Sequence, residues 1–270
     1  MMRIIKCISS IVAMVLTFAS LWFGIRAFIA DYFKIPSQSM EPTLCPGDEI
    51  VVNKLLFGAR IYSNFRFNND GNELESWRTN GIRKIRHNDI VVFNFPYHDG
   101  HISFVINHVL CKRVVALPGD SISIIDGRYH NNNYSGTLGV KGEQERLTAL
   151  TDTLIFPPLL TTIPFDGHFT WTIRNLGPLY IPRRGDIVRI TPAEATLYHR
   201  ILEWETGKCI SIDWNKNLVS ANGTSFSRHT FTHNYYFMAG DNVLDSNDSR
   251  YWGLLPEEYV VGIVGYVYKK

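Results

Sequence analysis

Two serines one position apart, Ser37 and Ser39, lie in the stretch KIPSQSMEPTL (34–44). A serine hydroxyl is a poor nucleophile until a neighbouring base takes its proton. Histidine is the usual base. Nine are present, and His98, His101 and His108 lie near one another. No G-x-S-x-G elbow and no H-E-x-x-H helix occurs, so neither the hydrolase-elbow nor the zincin pattern is met. Lysine is the other candidate base. Read as a strand, HVLCKRVVAL (108–117) puts Leu110, Lys112, Val114 and Ala116 on one face and Cys111, Arg113 and Val115 on the other. Apolar neighbours desolvate an ammonium group and lower its pKa. A free lysine near ~10.4 must fall by roughly two to three units to act as a base near neutral pH. From the pattern alone, the simpler account is that Lys112 snorkels its ammonium to water from an edge strand.

The elements that must hold these residues read as mostly β. DEIVVNKLLF (48–57), DIVVFNF (89–95), HVLCKRVVAL, SISIID (121–126), DIVRI (186–190) and YVVGIVGYVYK (259–269) are β-branched runs. Pro46-Gly47-Asp48 and Pro118-Gly119-Asp120 are turn signals. One helix is expected over 191–207, with Thr191 as N-cap, Pro192 next, Glu194 three residues on and Gly207 at its end. Residues 127–230, rich in Asn, Thr, Gly and Pro, read as an inserted second β-rich domain. The catalytic β core would then comprise 33–126 and 231–270.

Residues 1–32 have a different character. From Cys7 to Ile25 there is no charge, and at ~1.5 Å per residue this run is close to the length that spans a bilayer core. Arg3 and Lys6 precede it, which predicts a cytoplasmic amino terminus. Trp22, Phe23, Phe28, Tyr32 and Phe33 mark its far end, where aromatic rings favour the membrane interface. A cleaved signal peptide is the competing reading, but the apolar run is long and no clear small-x-small site follows it. A single-pass anchor is therefore expected. Phe57, Phe65 and Phe67 are further candidates for membrane contact or for core packing. A formal charge of +2 and the absence of a basic tract give no sign of nucleic acid as a partner, and 45% hydrophobic residues argue against several spans. Cys7 lies in the anchor; Cys45, Cys111 and Cys209 lack the spacing of a disulfide framework or zinc site and read as core or pocket residues.

Four stretches, in order behind the anchor, carry a family resemblance: IPSQSMEPTL, DIVVFNFP, KRVVALPGD and GDNVLDSNDSRYWGLLPEEYVVG (240–262). Together they resemble the type I signal peptidases, membrane-anchored serine/lysine proteases that remove signal peptides from exported preproteins. The resemblance implies Ser39 as nucleophile and Lys112 as general base. Ser37 would donate to the oxyanion, and Ser246 would hydrogen-bond and orient the lysine. Arg113, Asp248 and Arg250 would form a supporting ion-pair network. Phe33, Ile35, Leu44 and Cys111 would line shallow pockets for small side chains, with Met40 packed under the site. It implies no cofactor or metal, signal peptides and membrane lipid as partners, and a catalytic domain on the outer face of the cytoplasmic membrane. Pro36 and Pro42 are expected to keep the serine stretch extended.

The chain departs from the family pattern at several positions. Gln38 stands where Gly is common, Asn88 replaces the Gly of a turn, Ala116 replaces a common Gly, and Leu110 and Cys111 replace larger residues. Val243 and Asp245 stand where Arg and Asn are frequent. Two other readings remain open at this point: a processing protease with a narrow set of clients, and a catalytically silent membrane-tethered β-domain.

Overall fold

A computed structural model describes residues 2–63 and 75–270; Phe65 and Phe67 lie outside the described residues. The apolar run forms helix α1 (Met2–Gly24), continued by a π-helical turn over Ile25–Ile29. Val15, Leu16, Phe18 and Phe23 on this helix all stand exposed. A helix that is apolar all round and unpacked against protein is what a bilayer-spanning segment requires. At its end Arg26 lies over the Trp22 ring (5.2 Å) and pairs with Asp31 at 2.6 Å. Lys54 Nζ donates to the Arg26 carbonyl at 2.6 Å and tethers the helix end to the sheet.

Ten strands matter to the site: β1 (Ala30–Lys34), β2 (Glu49–Asn53), β3 (Ile90–Asn94), β4 (Val109–Ala116), β5 (Ser121–Ile125), β6 (Arg128–Asn131), β7 (Leu176–Tyr180), β8 (Tyr235–Ala239), β9 (Leu255–Pro256) and β10 (Val260–Tyr268). Seven form one sheet in the order β1-β2-β10-β3-β4-β8-β9. Its neighbours pair antiparallel, with Val91 opposite Lys112 and Val92 opposite Cys111. Both faces of the sheet are covered. Val91, Phe93, Val114 and Phe237 join the larger core, while Val92 packs with Ile35, Met40, Leu44, Ile50 and Val52 on the opposite face. The period-two alternation therefore assigns Lys112 to the larger core's face and Cys111 to the other.

The two Pro-Gly-Asp turns share one design. Gly47 (φ 97°) and Gly119 (φ 93°) take the left-handed backbone. The carboxylates of Asp48 and Asp120 each accept the N–H three residues back, from Cys45 and Leu117, both at 2.8 Å. Asn88 holds its turn at φ 67°, with its side chain accepting from Gly139 N–H at 2.9 Å. That is how a non-glycine residue replaces glycine there.

The expected helix begins with a capping box at Thr191 and ends at Gly207 in the left-handed region, but it is two helices, α3 (Pro192–Leu197) and α4 (His199–Thr206). They break at buried Tyr198, whose hydroxyl donates to the Tyr180 carbonyl at 2.8 Å. A further helix, α2 (Lys141–Ala149), lies in the 127–230 stretch. The boundary at 126/127 falls in the tight turn between β5 and β6, and β5 also pairs with β7. Ile122, Leu179, Leu202 and Phe231 share one apolar core with Val91 and Phe237. The stretch thus packs onto the main sheet.

Of the two readings of Phe57, core packing holds: it is buried in the larger core. One expectation is corrected. Cys209 is exposed at a turn, so it is neither core nor pocket. All four cysteines are unpaired.

Candidate active site

Ser39 is presented by a compact series of turns, which corrects the expected extended stretch. Ile35 N–H donates to the Asp48 carbonyl at 2.8 Å, Glu41 N–H to Gln38 at 2.9 Å and Leu44 N–H to Met40 at 2.9 Å. Local backbone bonding folds the chain back, and Ile35, Met40 and Leu44 bury beneath it. The outer side of the turn is held by the loop after β8. Asn242 N–H donates to the Ser39 carbonyl at 3.2 Å, and Asn242 Nδ2 donates to the Gln38 carbonyl at 3.3 Å. Gly240 makes this approach possible: a Cβ there would sit 2.0 Å from Ser246 Oγ and 2.5 Å from the Ser39 carbonyl oxygen.

Lys112 Nζ lies 2.5 Å from Ser39 Oγ, and Ser37 Oγ lies 3.3 Å from that same oxygen. Lys112 is only 3% exposed, so it does not snorkel. Burial lowers its pKa below the ordinary lysine value, against the opposing field of Asp248 and with the Arg250 charge adding to the lowering. The amine has no carboxylate in ion-pair contact among the described residues. The geometry suits transfer of a hydroxyl proton to a neutral amine.

The supporting groups are arranged differently from what the resemblance implies. Asp248 and Arg250 form a fully buried bidentate pair, Nε to Oδ1 at 2.8 Å and Nη2 to Oδ2 at 2.7 Å. Asp248 also accepts from Gly240 N–H at 2.8 Å, and Arg250 Nη1 donates to the Val243 carbonyl at 2.9 Å. Burial works to raise the Asp248 pKa, but the Arg250 charge and these hydrogen bonds hold it below the usual carboxylate range. Arg113 does not join this pair. It binds Asp241 through Nε at 2.7 Å and Nη2 at 2.6 Å. Strand alternation explains the split, because Arg113 projects from the face of β4 opposite to Lys112. Ser246 is buried, but its Oγ has no hydrogen-bond partner, and the expected bond to Lys112 is not formed. The hydroxyl lodges instead in the space above Gly240.

A cleft of about 340 Å³ opens over the pair. Ile35, Met40 and Cys111 line it together with Ser37, Ser39 and Lys112. Phe33 and Leu44 do not; they pack in the apolar cluster behind it, Leu44 with no exposure at all. Burial pushes the Cys111 thiol up to about 12, so it forms a neutral wall. Sequence reasoning missed Phe95 and Asn247 as lining residues and Gly240 as the closure point. The only signal for Gly240 is a glycine opening the Gly-Asp-Asn stretch. A larger cleft of about 430 Å³, which includes Tyr97, Arg200 and Trp252, holds neither Ser39 nor Lys112. Chemistry, not size, locates the site.

Comparison with known proteins bears on the family. The chain is 29% identical over 268 residues to signal peptidase I of Buchnera aphidicola subsp. Baizongia pistaciae, covering 93% of this chain and 76% of that one. It is 25% identical over 248 residues to signal peptidase I of Aquifex aeolicus, covering 90% and 77%. A signal peptidase I crystal structure from Enterococcus faecalis matches with a TM-score of 0.33 at 17% identity, covering 68% of this chain and all of that one. The family described as "Signal peptidase, peptidase S26" matches residues 4–269, nearly the whole length, so the chain belongs to that family of serine endopeptidases.

Proposed function

We propose that this protein is a type I signal peptidase that cuts exported preproteins after small-x-small motifs by a Ser39–Lys112 mechanism. The observation that carries the proposal is a buried amine 2.5 Å from a serine hydroxyl at the floor of an open cleft. Ser39 Oγ attacks the scissile carbonyl carbon as its proton passes to neutral Lys112 Nζ. The resulting oxyanion accepts hydrogen bonds from Ser37 Oγ and the Ser39 backbone N–H, donors of a kind worth about 3–4 kcal/mol. Lys112 then returns the proton to the leaving amine, and the signal peptide remains as an ester on Ser39. Water, deprotonated by the same amine, hydrolyses the ester. Ser246, Asp248, Arg250 and Arg113 hold the geometry. Ile35, Met40 and Cys111 leave room for small substrate side chains only.

The apolar helix anchors the chain. Arg3 and Lys6 keep the amino terminus in the cytoplasm, and the site works on the outer face of the cytoplasmic membrane. The anchor ends only a few residues before Ser39, which favours a substrate emerging from the bilayer. The test is cleavage of an Ala-x-Ala preprotein by the full chain in detergent or proteoliposomes. The wild type is expected to release mature protein and the Ser39→Ala variant to do so at least about 10³-fold more slowly. Equal processing by that variant would leave a catalytically silent domain as the reading. Cleavage confined to a few special clients would favour the narrow processing protease.

A further inference from the structure

The cleft over Ser39 and Lys112 is apolar along most of its wall, yet it contains one carboxylate, Asp245. Its position relative to the nucleophile follows from two backbone bonds. The Ser39 carbonyl accepts from Asn242 N–H (3.2 Å), and the Asn242 carbonyl accepts from Asp245 N–H (3.1 Å). Asp245 is thus tied to the loop that closes on the nucleophile. Its neighbours in sequence are spoken for: Leu244 packs with an apolar cluster, Ser246 is buried against Gly240, and Asp248 binds Arg250. Asp245 and the uncharged Asn247 are the exposed residues of this stretch that line the cleft, and Asp245 alone brings a charge. It is exposed, and among the described residues its carboxylate has no ion pair and no hydrogen bond. The nearby cations are committed elsewhere. Arg113 is held by Asp241, Arg250 by Asp248, and Lys112 is buried against Ser39.

Resting on the serine–lysine reading above, we propose that Asp245 is a specificity-determining residue: it selects substrates carrying a lysine or arginine within two residues of the scissile bond. An unpaired carboxylate beside a low-dielectric wall attracts a cation more strongly than one in open water. The same group disfavours an aspartate or glutamate there. An asparagine at this position would keep the shape and lose the charge, so the preference belongs to the charge and not to the loop.

The test is a set of preprotein peptides sharing one small-x-small motif, with Lys, Gln or Glu placed in turn at the second position before the cut and the first and second after it. The full-length wild-type enzyme is expected to show kcat/KM about three- to tenfold higher for Lys than for Glu at one or more of these positions. The ratio should shrink as salt rises from low to physiological strength, as a charge effect requires. In Asp245→Asn the Lys-to-Glu ratio should approach one, while Asp245→Glu should retain it. Equal rates for Lys and Glu at all three positions in the wild type, or a preference that survives in Asp245→Asn, would overturn the proposal. Failure to cut the Gln peptide at all would instead count against the signal peptidase reading on which it rests.

Discussion

Two basic side chains are buried beneath the site, Lys112 on β4 and Arg250 on the short helix Ser249–Trp252, and they are treated in opposite ways. Arg250 has no exposed surface, yet Asp248 meets it with two parallel hydrogen bonds and the Val243 carbonyl takes a third. Burial works to lower its pKa, but the Asp248 charge wins and holds it above the ordinary arginine value. Lys112 is nearly as buried but meets only a hydroxyl, and burial wins there. Depth alone therefore does not set the charge of a buried base; the partner does. One site spends its burial on a permanently charged brace, the other on a neutral amine ready to accept a proton.

Substitutions can break this contrast. The largest effect is expected from Lys112→Met, which keeps the volume and removes the base. Preprotein cleavage should fall by at least about 10³-fold, while the melting temperature in detergent should hold or rise, since apolar replacement of a buried ionisable group is commonly neutral or stabilising. Asp248→Asn should do the reverse to stability. It leaves Arg250 buried without its counter-charge, at a cost of about 3–5 kcal/mol in thermal or denaturant unfolding. Next comes Gly240→Ala. The new Cβ would meet Ser246 Oγ and the Ser39 carbonyl, so the loop must shift, and a displacement of about 1 Å lowers kcat by roughly 10²-fold. Steady-state kinetics with unchanged far-ultraviolet circular dichroism would check it.

The smallest effect is on stability against pH; it has the same sign at both sites but falls in different pH windows. The unfolded chain keeps the Lys112 proton up to about pH 10.4, whereas the folded site releases it at lower pH. Between those values the unfolded state binds more protons, so Lys112 makes stability rise with pH. Asp248 has a folded pKa below its unfolded value near ~3.9. Its stabilisation is present above that value and is lost as pH falls through the folded one. Unfolding of the wild type and Lys112→Met across alkaline pH should show the first slope only in the wild type.

Much of the sheet was legible because strand alternation and Pro-Gly-Asp turns are local signals. Residues 109–116 and 260–268 lie within a residue or two of the runs read from sequence. Helix α2 was not read, because KGEQERLTA presents almost no apolar stripe; only Leu147 and Gln144 bury from it. The break at Tyr198 depends on a hydroxyl reaching Tyr180, a tertiary contact that no capping signal carries. Within the site, Ser39 and Lys112 were found through motif resemblance, since pattern alone favoured a snorkelling lysine. What no sequence pattern supplied was the pairing of partners far apart along the chain. Arg113 selects Asp241 over Asp248 because of the strand face it occupies, and Gly240 is needed because the Ser246 side chain and the Ser39 carbonyl converge on it.

The most direct measurement is the titration of the Lys112 amine itself, by nuclear magnetic resonance of the full chain in micelles with labelled lysine side chains and Lys112→Met to assign the signal. The expected result is a Lys112 signal that titrates below the exposed lysines and whose midpoint matches the rise of cleavage rate with pH. A Lys112 signal that titrates with the exposed lysines would contradict the claim that burial without a counter-charge prepares this base.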